Sequence, residues 1–191
     1  ACEYGLIQNI LHNLYMVHQD LALIYDELLT PVLHQIGTMW VEGKLSVAEE
    51  HLASQAIRDG IVKMQDVVGK TETNAGRAFV LTLGSELHDI PAKMVQHLLE
   101  ARGFITIFSG QATPAGDTVK VFESFHPDRV YLSSTYIENT VAAQQEFNEL
   151  EALCNEYGAR LFCGGKGLRQ LVIDEKTGPK FLASFKEVKN S

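Results

Sequence analysis

Several features that define other protein classes are missing from this sequence of 191 residues. It has only three cysteines, Cys2, Cys154 and Cys163, and their odd number and wide spacing argue against a disulfide framework or a cysteine metal site. We expect them to be buried or incidental thiols. No apolar run approaches the roughly 18 residues of a membrane span, and nothing near the N-terminus is typical of a signal peptide. The sequence therefore predicts a cytoplasmic protein without membrane contact.

Positive charge is also scarce. The chain has 16 Lys and Arg against 24 Asp and Glu, which gives a net charge of −8. Residues 1–75 carry −6 of this and residues 76–191 carry −2. Neither part has the basic stripe that would displace counterions from DNA, so any DNA contact must come from a domain absent from this chain or from a partner regulator. The acidic first part suits either self-association into a homo-oligomer or a basic partner.

The signature motifs of common enzymes are missing too. The sequence contains no Gly-x-Ser-x-Gly and no Walker A motif, and no Gly-x-Gly-x-x-Gly follows the first predicted strand. A hydrolase or a dinucleotide-dependent oxidoreductase has little support for this reason. We expect a protein that is not an enzyme.

The first part of the chain has the hydrophobic period of helices. Pro31 lies inside the apolar stripe of the second helix and predicts a kink there. Ser46 followed by Glu49 has the spacing of a capping box, which predicts the start of the third helix. Together these segments predict an N-terminal helical bundle over residues 1–73. The three helical segments are 4–17, Leu21–Trp40 and Val47–Val67.

After a polar linker at residues 70–77, short apolar strands alternate with amphipathic helices. This order predicts an α/β fold in which a five-stranded parallel, flavodoxin-like Rossmann-type domain occupies residues 76–191. The predicted strands are 79–83, 105–108, 130–132, 160–163 and 181–183, and the predicted helices are 90–102, 116–125 and 137–157. Ligands of such sheets bind beyond the carboxyl ends of the strands, here Ser85–Ile90, Ser133–Tyr136 and Gly164–Gly167.

The loop after the first predicted strand reads Glu86-Leu87-His88-Asp89-Ile90-Pro91. A histidine beside carboxylates at the mouth of a parallel sheet is a suitable ligand for a transition metal. Its other ring nitrogen would donate to an acidic neighbour, which fixes the tautomer. A solvated or helix-capping histidine is the alternative interpretation.

This loop resembles the Asp-x-His-x-x-Gly signature of cobalamin-binding domains, with Glu86 and Pro91 at its first and last positions. The ends of the third and fourth strands, Ser133-Ser134-Thr135 and Gly164-Gly165, are similar to the Ser-x-Leu/Thr and Gly-Gly steps of that family. The resemblance covers essentially all of residues 77–191. It implies that His88 ligates cobalt from below, while the Ser and Gly positions make room for the nucleotide tail. Glu86 can still orient His88, and Pro91 suits the first turn of a helix but adds bulk near the tail.

Trp40, followed after nine residues by Glu50-His51, resembles a motif of bacterial light-dependent, adenosylcobalamin-binding regulators that are often fused to MerR-type DNA-binding domains. The resemblance implies that these side chains cover the upper face of the corrin beside the adenosyl group. The chain would then be a sensor that holds adenosylcobalamin between a helical cap and the α/β domain for light-responsive control of transcription. Core packing of the Trp and an exposed Glu-His face are the alternatives. Val41 replaces a His that captures cobalt in light-sensing members, which leaves His51 or His34 as substitutes.

Three other functions stay open at this point. One is a related sensor that binds heme, and another is a ligand-free interaction module. The third is a corrinoid protein that carries methyl groups, which would not need the Trp-x9-Glu-His set. The residues expected to contact the cofactor are Trp40, Val47, Glu50, His51, Glu86, Leu87, His88, Asp89, Ile90, Ser133, Thr135, Gly164 and Gly165, with His88 as the metal ligand.

Overall fold

A computed structural model describes the chain over residues 4–69, 74–174 and 178–191. Cys2 and residues 70–73, the first part of the predicted linker, lie outside the described residues. None of the helices in the described ranges is both long enough and apolar enough to cross a membrane.

The chain forms two compact units. The helical unit contains the chain up to Gly69 together with Ser184–Ser191, and the α/β unit contains the chain between them. The sequence analysis assigned the last eight residues to the α/β domain, whereas their contacts group them with the helices. The chain therefore passes from helices to sheet and back to helices.

The described residues contain eight α-helices and five β-strands. The helices are α1 (Tyr4–His18), α2 (Leu21–Ile24), α3 (Thr30–Val41), α4 (Val47–Met64), α5 (Ile90–Ala101), α6 (Val119–Phe125), α7 (Thr140–Tyr157) and α8 (Phe185–Lys189). The strands are β1 (Arg77–Thr82), β2 (Ile105–Phe108), β3 (Arg129–Ser133), β4 (Arg160–Gly164) and β5 (Lys180–Leu182). Short 3₁₀ turns at Ala115–Thr118 and Gly167–Gln170 complete the regular structure of the α/β unit.

A π-helical turn, Tyr25–Leu29, joins α2 to α3 in one continuous helical stretch. The N–H of Thr30 reaches back to the Tyr25 carbonyl, five residues earlier. Pro31 lies in the first turn of α3 and has no N–H to donate to the carbonyl four residues before it, so one residue bulges out of the α-helical pattern. Where the sequence predicted a kink at Pro31, the structure has a π-helical turn just before it.

The π-helical turn also holds the C-terminal helix α8. The carboxylate of Asp26 accepts the backbone N–H groups of Phe185 at 2.8 Å and Lys186 at 3.0 Å, which are otherwise unpaired in a helix start. The Tyr25 ring meets the Phe185 ring edge-on at 5.4 Å. A helix of five residues has little stability of its own, so these contacts explain both its existence and its place in the helical unit.

The five strands form one parallel sheet in the order β2-β1-β3-β4-β5. This order confirms the prediction of a five-stranded parallel, flavodoxin-like sheet. One face packs α6 and α7 onto the central strands through a core that includes Phe79, Leu81, Phe122, Leu132, Phe147, Leu150 and Leu161. Because all strands run the same way, the loops that follow β1, β3 and β4 meet at one edge of the sheet.

Helix α7 begins three residues later than predicted. The sequence analysis started it at residue 137, where Ile137 continues the apolar pattern, but the structure starts it at Thr140. The side chain of Asn139 accepts the N–H groups of Val141 at 3.1 Å and Ala142 at 3.1 Å, and this cap fixes the first turn. Ile137 is buried in the loop before the helix instead.

Candidate functional site

His88 lies in the loop between β1 and α5, at the carboxyl edge of the sheet. Its side chain is 58% exposed, and its Nδ1 lies 2.6 Å from Oε1 of Glu86. An ionised carboxylate can only accept, so Nδ1 donates in this bond, and in the neutral ring that tautomer leaves the Nε2 lone pair for a metal. An exposed imidazole whose Nδ1 is held by an acidic neighbour is the arrangement found in metal-ligating histidines.

Glu86 is buried, with only 1% of the residue exposed, and both of its carboxylate oxygens accept hydrogen bonds. Oε1 also accepts the His88 N–H at 2.8 Å, while Oε2 accepts the Ser134 hydroxyl at 3.1 Å, the Tyr136 N–H at 2.9 Å and the Thr135 N–H. Burial by itself would raise the pKa of Glu86, but the hydrogen bonds from the His88 side chain and from the Tyr136, His88 and Thr135 N–H groups lower it to about 2. Glu86 is therefore ionised at neutral pH.

The extra methylene of Glu86, relative to Asp, has a structural consequence. One carboxylate oxygen serves the loop of His88, and the other serves the loop after β3. The side chain thus joins two loops that are 48 residues or more apart in sequence. Glu86 orients His88 as expected and in addition fixes the loop after β3.

Two glycines after β4 allow that loop to pack directly on the loop after β3. Gly165 has a φ of +96°, and a Cβ there would overlap the carbonyl of Ser134. A Cβ at Gly167 would lie 2.7 Å from the Ser134 hydroxyl. The backbone atoms of the two loops also bond to each other, from Ser134 N–H to the Gly164 carbonyl at 3.1 Å and from Gly167 N–H to the Ser134 carbonyl at 3.0 Å. The glycines are needed by the protein's own packing, and a role of Gly164 and Gly165 beside a nucleotide tail stays a prediction.

The loop after β2 supports the His88 loop from a third side. The N–H of Ala112 donates to the Glu86 carbonyl at 3.1 Å, and the side-chain amide of Gln111 donates to the Leu87 carbonyl at 2.6 Å. Leu87 is exposed beside His88, whereas Asp89 is buried at the N-cap position of α5. Hydrogen bonds from Glu86 and from the loop after β2 thus hold the His88 loop in place.

The other residues expected at the carboxyl edge of the sheet also lie there. Ser133 ends β3 and is buried in register with Gly164, while Thr135 offers its N–H to Glu86. Ile90 opens α5, and Pro91 lies in the first turn of that helix as expected.

Trp40, Glu50 and His51 lie at one end of the hairpin formed by α3 and α4. Trp40 is in the last turn of α3 and is 48% exposed. Glu50 and His51 follow in the first turns of α4, after a connection of only five residues, 42–46. The His51 side chain is 74% exposed, and the Glu50 carboxylate accepts the Ser54 hydroxyl at 2.6 Å. The set is therefore accessible, with few bonds that hold it in place.

The start of α4 is fixed by the predicted capping box. The Ser46 hydroxyl accepts the Glu49 N–H at 3.3 Å, and the Glu49 carboxylate accepts the Ser46 N–H at 2.8 Å. This confirms the capping-box prediction and orients the first turns that carry Val47, Glu50 and His51. Val47, like Val41 before it, is an exposed apolar side chain.

The predicted segment Ser133–Tyr136 contains Ser134, but the expected cofactor contacts leave it out, and it is fully buried and supplies the hydroxyl on Glu86. The similarity of the strand ends pointed to the neighbouring positions Ser133 and Thr135. Sequence reasoning missed Gln111, which supports the His88 loop, while Gly167 lies in the predicted segment Gly164–Gly167 and supports the packing of the loops. A run of three hydroxyl residues after a buried strand was the one signal available.

A corrin supplies the equatorial nitrogens of cobalt itself, so a single accessible protein nitrogen is sufficient, and Nε2 of His88 fits that requirement. Across residues 4–69, 74–174 and 178–191, no group of three or more His, Cys, Asp or Glu side chains is arranged to hold a metal ion.

Comparison with known families and proteins points to the same cofactor class. Residues 6–69 match the family model described as "B12 binding domain". The chain is 30% identical over 110 residues to the HTH-type transcriptional repressor CarH of Myxococcus xanthus, a match that covers 58% of this chain and 36% of the repressor. It is also 23% identical over 133 residues to dimethylamine corrinoid protein 1 of Methanosarcina acetivorans, covering 69% of this chain and 62% of that protein. The chain thus spans less than two thirds of either relative.

Among solved structures, the monomethylamine corrinoid protein of Methanosarcina barkeri has the same fold. The superposition has a TM-score of 0.70 at 17% identity and covers 98% of this chain and 93% of that protein. The relatives include both a repressor and corrinoid proteins. The solved structure shows the shared fold, while the family match over residues 6–69 and the two relatives support a cobalamin-binding domain and a cobalamin-type cofactor.

Proposed function

We propose that this chain is a regulatory sensor module, not an enzyme, that binds adenosylcobalamin with His88 as the lower ligand of cobalt. The Glu86–His88 pair carries the proposal, because a permanently ionised carboxylate holds the imidazole in the tautomer that presents Nε2 to a metal. The loops after β2, β3 and β4 keep this pair in place.

The helical unit would contribute the part that distinguishes a sensor from a carrier. Trp40 would pack on the adenosyl group, while Glu50 and His51 would hydrogen-bond its ribose and base. The bound cofactor would supply a light-sensitive cobalt–carbon bond, and the protein would supply only position and surroundings. The matching repressor supports a role in transcription, which here would act through a DNA-binding domain or partner, with a change of oligomeric state as the output.

A corrinoid protein that carries methyl groups for a methyltransferase is the second candidate. The dimethylamine corrinoid protein is a relative over 69% of this chain. A carrier would bind a methylated corrin equally well and would gain nothing from Trp40 and the Glu50-His51 pair.

The two candidates are separated by reconstitution in the dark. Samples of the purified chain, His88→Ala and Trp40→Ala would each be loaded with adenosylcobalamin or methylcobalamin, desalted and followed by ultraviolet–visible spectroscopy before and after green light. We expect the chain to retain adenosylcobalamin and to change its spectrum in light, with retention lost in His88→Ala. Equal retention of both cobalamins with no effect of Trp40→Ala would favour the methyl carrier. A colourless protein would contradict both, and heme titration would follow.

A further inference from the structure

An acidic side chain of helix α7 holds the start of the His88 loop. Oε2 of Glu146 accepts the backbone N–H of Gly84 at 2.7 Å. Gly84 follows β1 by two residues and begins the segment that leads to Glu86 and His88. Glu146 lies beside Phe147, which is fully buried in the core under the sheet, so the position of this carboxylate is set by the packing of α7.

The glycine at 84 makes room for this carboxylate. A Cβ there would lie 2.8 Å and 2.9 Å from the two oxygens of Glu146, closer than real Cβ contacts. The Gly84 backbone is outside the left-handed region, so an alanine is allowed by its φ and would act only by pushing the carboxylate away. The same contact can therefore be broken from either side.

We propose that Glu146 is a positioning residue for His88, an inference that rests on the proposed cofactor role of His88. Three anchors hold the loop: Glu86 from within, Gln111 from the loop after β2, and Glu146 from α7. Glu146 holds the start of the loop from α7, beside the turn closed by the bond from the Glu86 N–H to the Leu83 carbonyl at 2.9 Å. Its bond to an N–H is of the charge-assisted kind, which is stronger than a bond between neutral groups. Loss of this bond frees the start of the loop and lets the imidazole leave its fixed orientation.

The first test uses the chain without cofactor. Hydrogen exchange at the Gly84 amide and the ¹⁵N shifts of the His88 ring would be measured by NMR in the wild type, Glu146→Ala, Glu146→Gln, Gly84→Ala and Glu149→Ala. We expect roughly tenfold faster Gly84 exchange and averaged His88 ring shifts in Glu146→Ala and Gly84→Ala, as for loss of one hydrogen bond to a charged group. Glu146→Gln retains an acceptor oxygen and should remain within about threefold of wild type. Glu149→Ala removes an exposed charge from the same helix and should change neither signal.

The second test measures adenosylcobalamin affinity in the same proteins. We expect about tenfold weaker binding in Glu146→Ala and in Gly84→Ala, and no further loss in the double variant, because both substitutions remove one contact. Wild-type His88 shifts and affinity in Glu146→Ala, despite a faster Gly84 amide, would overturn the inference. Failure of the wild-type chain to bind any cobalamin would instead contradict the proposed function, and the NMR measurements would still decide whether Glu146 positions His88.

Discussion

The two units present their candidate ligand residues in opposite ways. In the α/β unit, His88 is held by an ionised, buried Glu86 that is itself bonded to the loop after β3. In the helical unit, Trp40 is half exposed, His51 is largely exposed, and none of the residues in α3 is fully buried. A prearranged side chain costs little entropy on binding, whereas a loose one must be ordered by the ligand. Substitution of Glu86 should therefore change the folded structure itself, and substitution of Trp40 or His51 should change binding alone.

The largest effect is expected where two loops of the α/β unit touch. Gly165→Ala combines a left-handed φ with overlap of the Ser134 carbonyl, so we expect a loss of about 3 kcal/mol or more in the free energy of unfolding, measured by urea titration. Gly164→Ala is the matched control. Its Cβ would make an ordinary 3.5 Å contact with the Leu182 carbonyl, so its unfolding midpoint should lie close to wild type. Equal stability of the two variants would contradict the packing described for these loops.

Glu86 should make the α/β unit sensitive to strong acid. Its pKa is 4.5 when unfolded and about 2 when folded, so its contribution is complete above pH 4.5 and is lost as the pH falls from 4.5 to 2. This amounts to about 3 kcal/mol. Unfolding titrations at several pH values should show a slope in this window that Glu86→Gln removes. Glu42→Gln, which changes an exposed carboxylate of the helical unit, should leave the slope in place. An unchanged slope in Glu86→Gln would show that Glu86 is not the group responsible.

His97, buried on α5, gives a second acid window of similar or smaller size. Burial, and secondly the charge of Lys93, lower its pKa from 6.5 to about 4. The folded chain then resists protonation while the unfolded chain accepts it, so stability is complete above pH 6.5 and declines toward pH 4. His97→Gln should flatten the unfolding free energy between these values. The four histidines of the helical unit are exposed, so His34→Gln should leave the slope intact, and a slope that disappears in that control would contradict the assignment.

The helical unit should respond to loss of its capping box by about 1 kcal/mol. Ser46→Ala leaves the Glu49 N–H without its acceptor at the start of α4. We expect a lower unfolding midpoint and faster amide exchange in the first turn of α4, with the exchange of Gly84 in the α/β unit unchanged. Ser46→Asp, which can cap in the same way, should restore wild-type stability.

The smallest effect on stability is expected at Trp40. Because its side chain is 48% exposed, Trp40→Ala should change the free energy of unfolding by no more than about 0.5 kcal/mol. Affinity for adenosylcobalamin should nevertheless fall about tenfold, the usual value of one stacked aromatic contact, while affinity for a cobalamin without the adenosyl group stays constant. Val41→Ala, the exposed neighbour, serves as the control. Equal losses for both cobalamins would show that Trp40 does not face the adenosyl group.

The sequence predicted the order and type of most elements because their signals are local. Buried apolar strands, amphipathic helices and the Ser46–Glu49 pair are each defined by residues a few positions apart. The predicted start of α7 was three residues too early, because Asn139 caps the helix and the apolar Ile137 lies before that cap. Pro31 predicted a kink, and the structure has a π-helical turn directly before it, a form that the sequence did not indicate.

Contacts between distant residues could not be predicted in this way. The bond from Ser134 to Glu86 spans 48 residues, and the bond from Gly84 to Glu146 spans 62. The hydrogen bond from Phe185 of α8 to Asp26 spans more than twice as many residues, and it ties the C-terminus to the helical unit. The sequence located His88 and its acidic neighbour because they are two residues apart, and it missed the partners that the fold brings to them.

The direct test of the central claim is the electron paramagnetic resonance spectrum of the bound Co(II) cobalamin in protein labelled with ¹⁵N-histidine. If Nε2 of His88 ligates cobalt, the nitrogen splitting of each cobalt line should change from a triplet in unlabelled protein to a doublet in labelled protein, and this dependence on the label should vanish in His88→Ala. A triplet that persists in labelled protein would show that the axial nitrogen belongs to the cofactor, and it would contradict the assignment of His88.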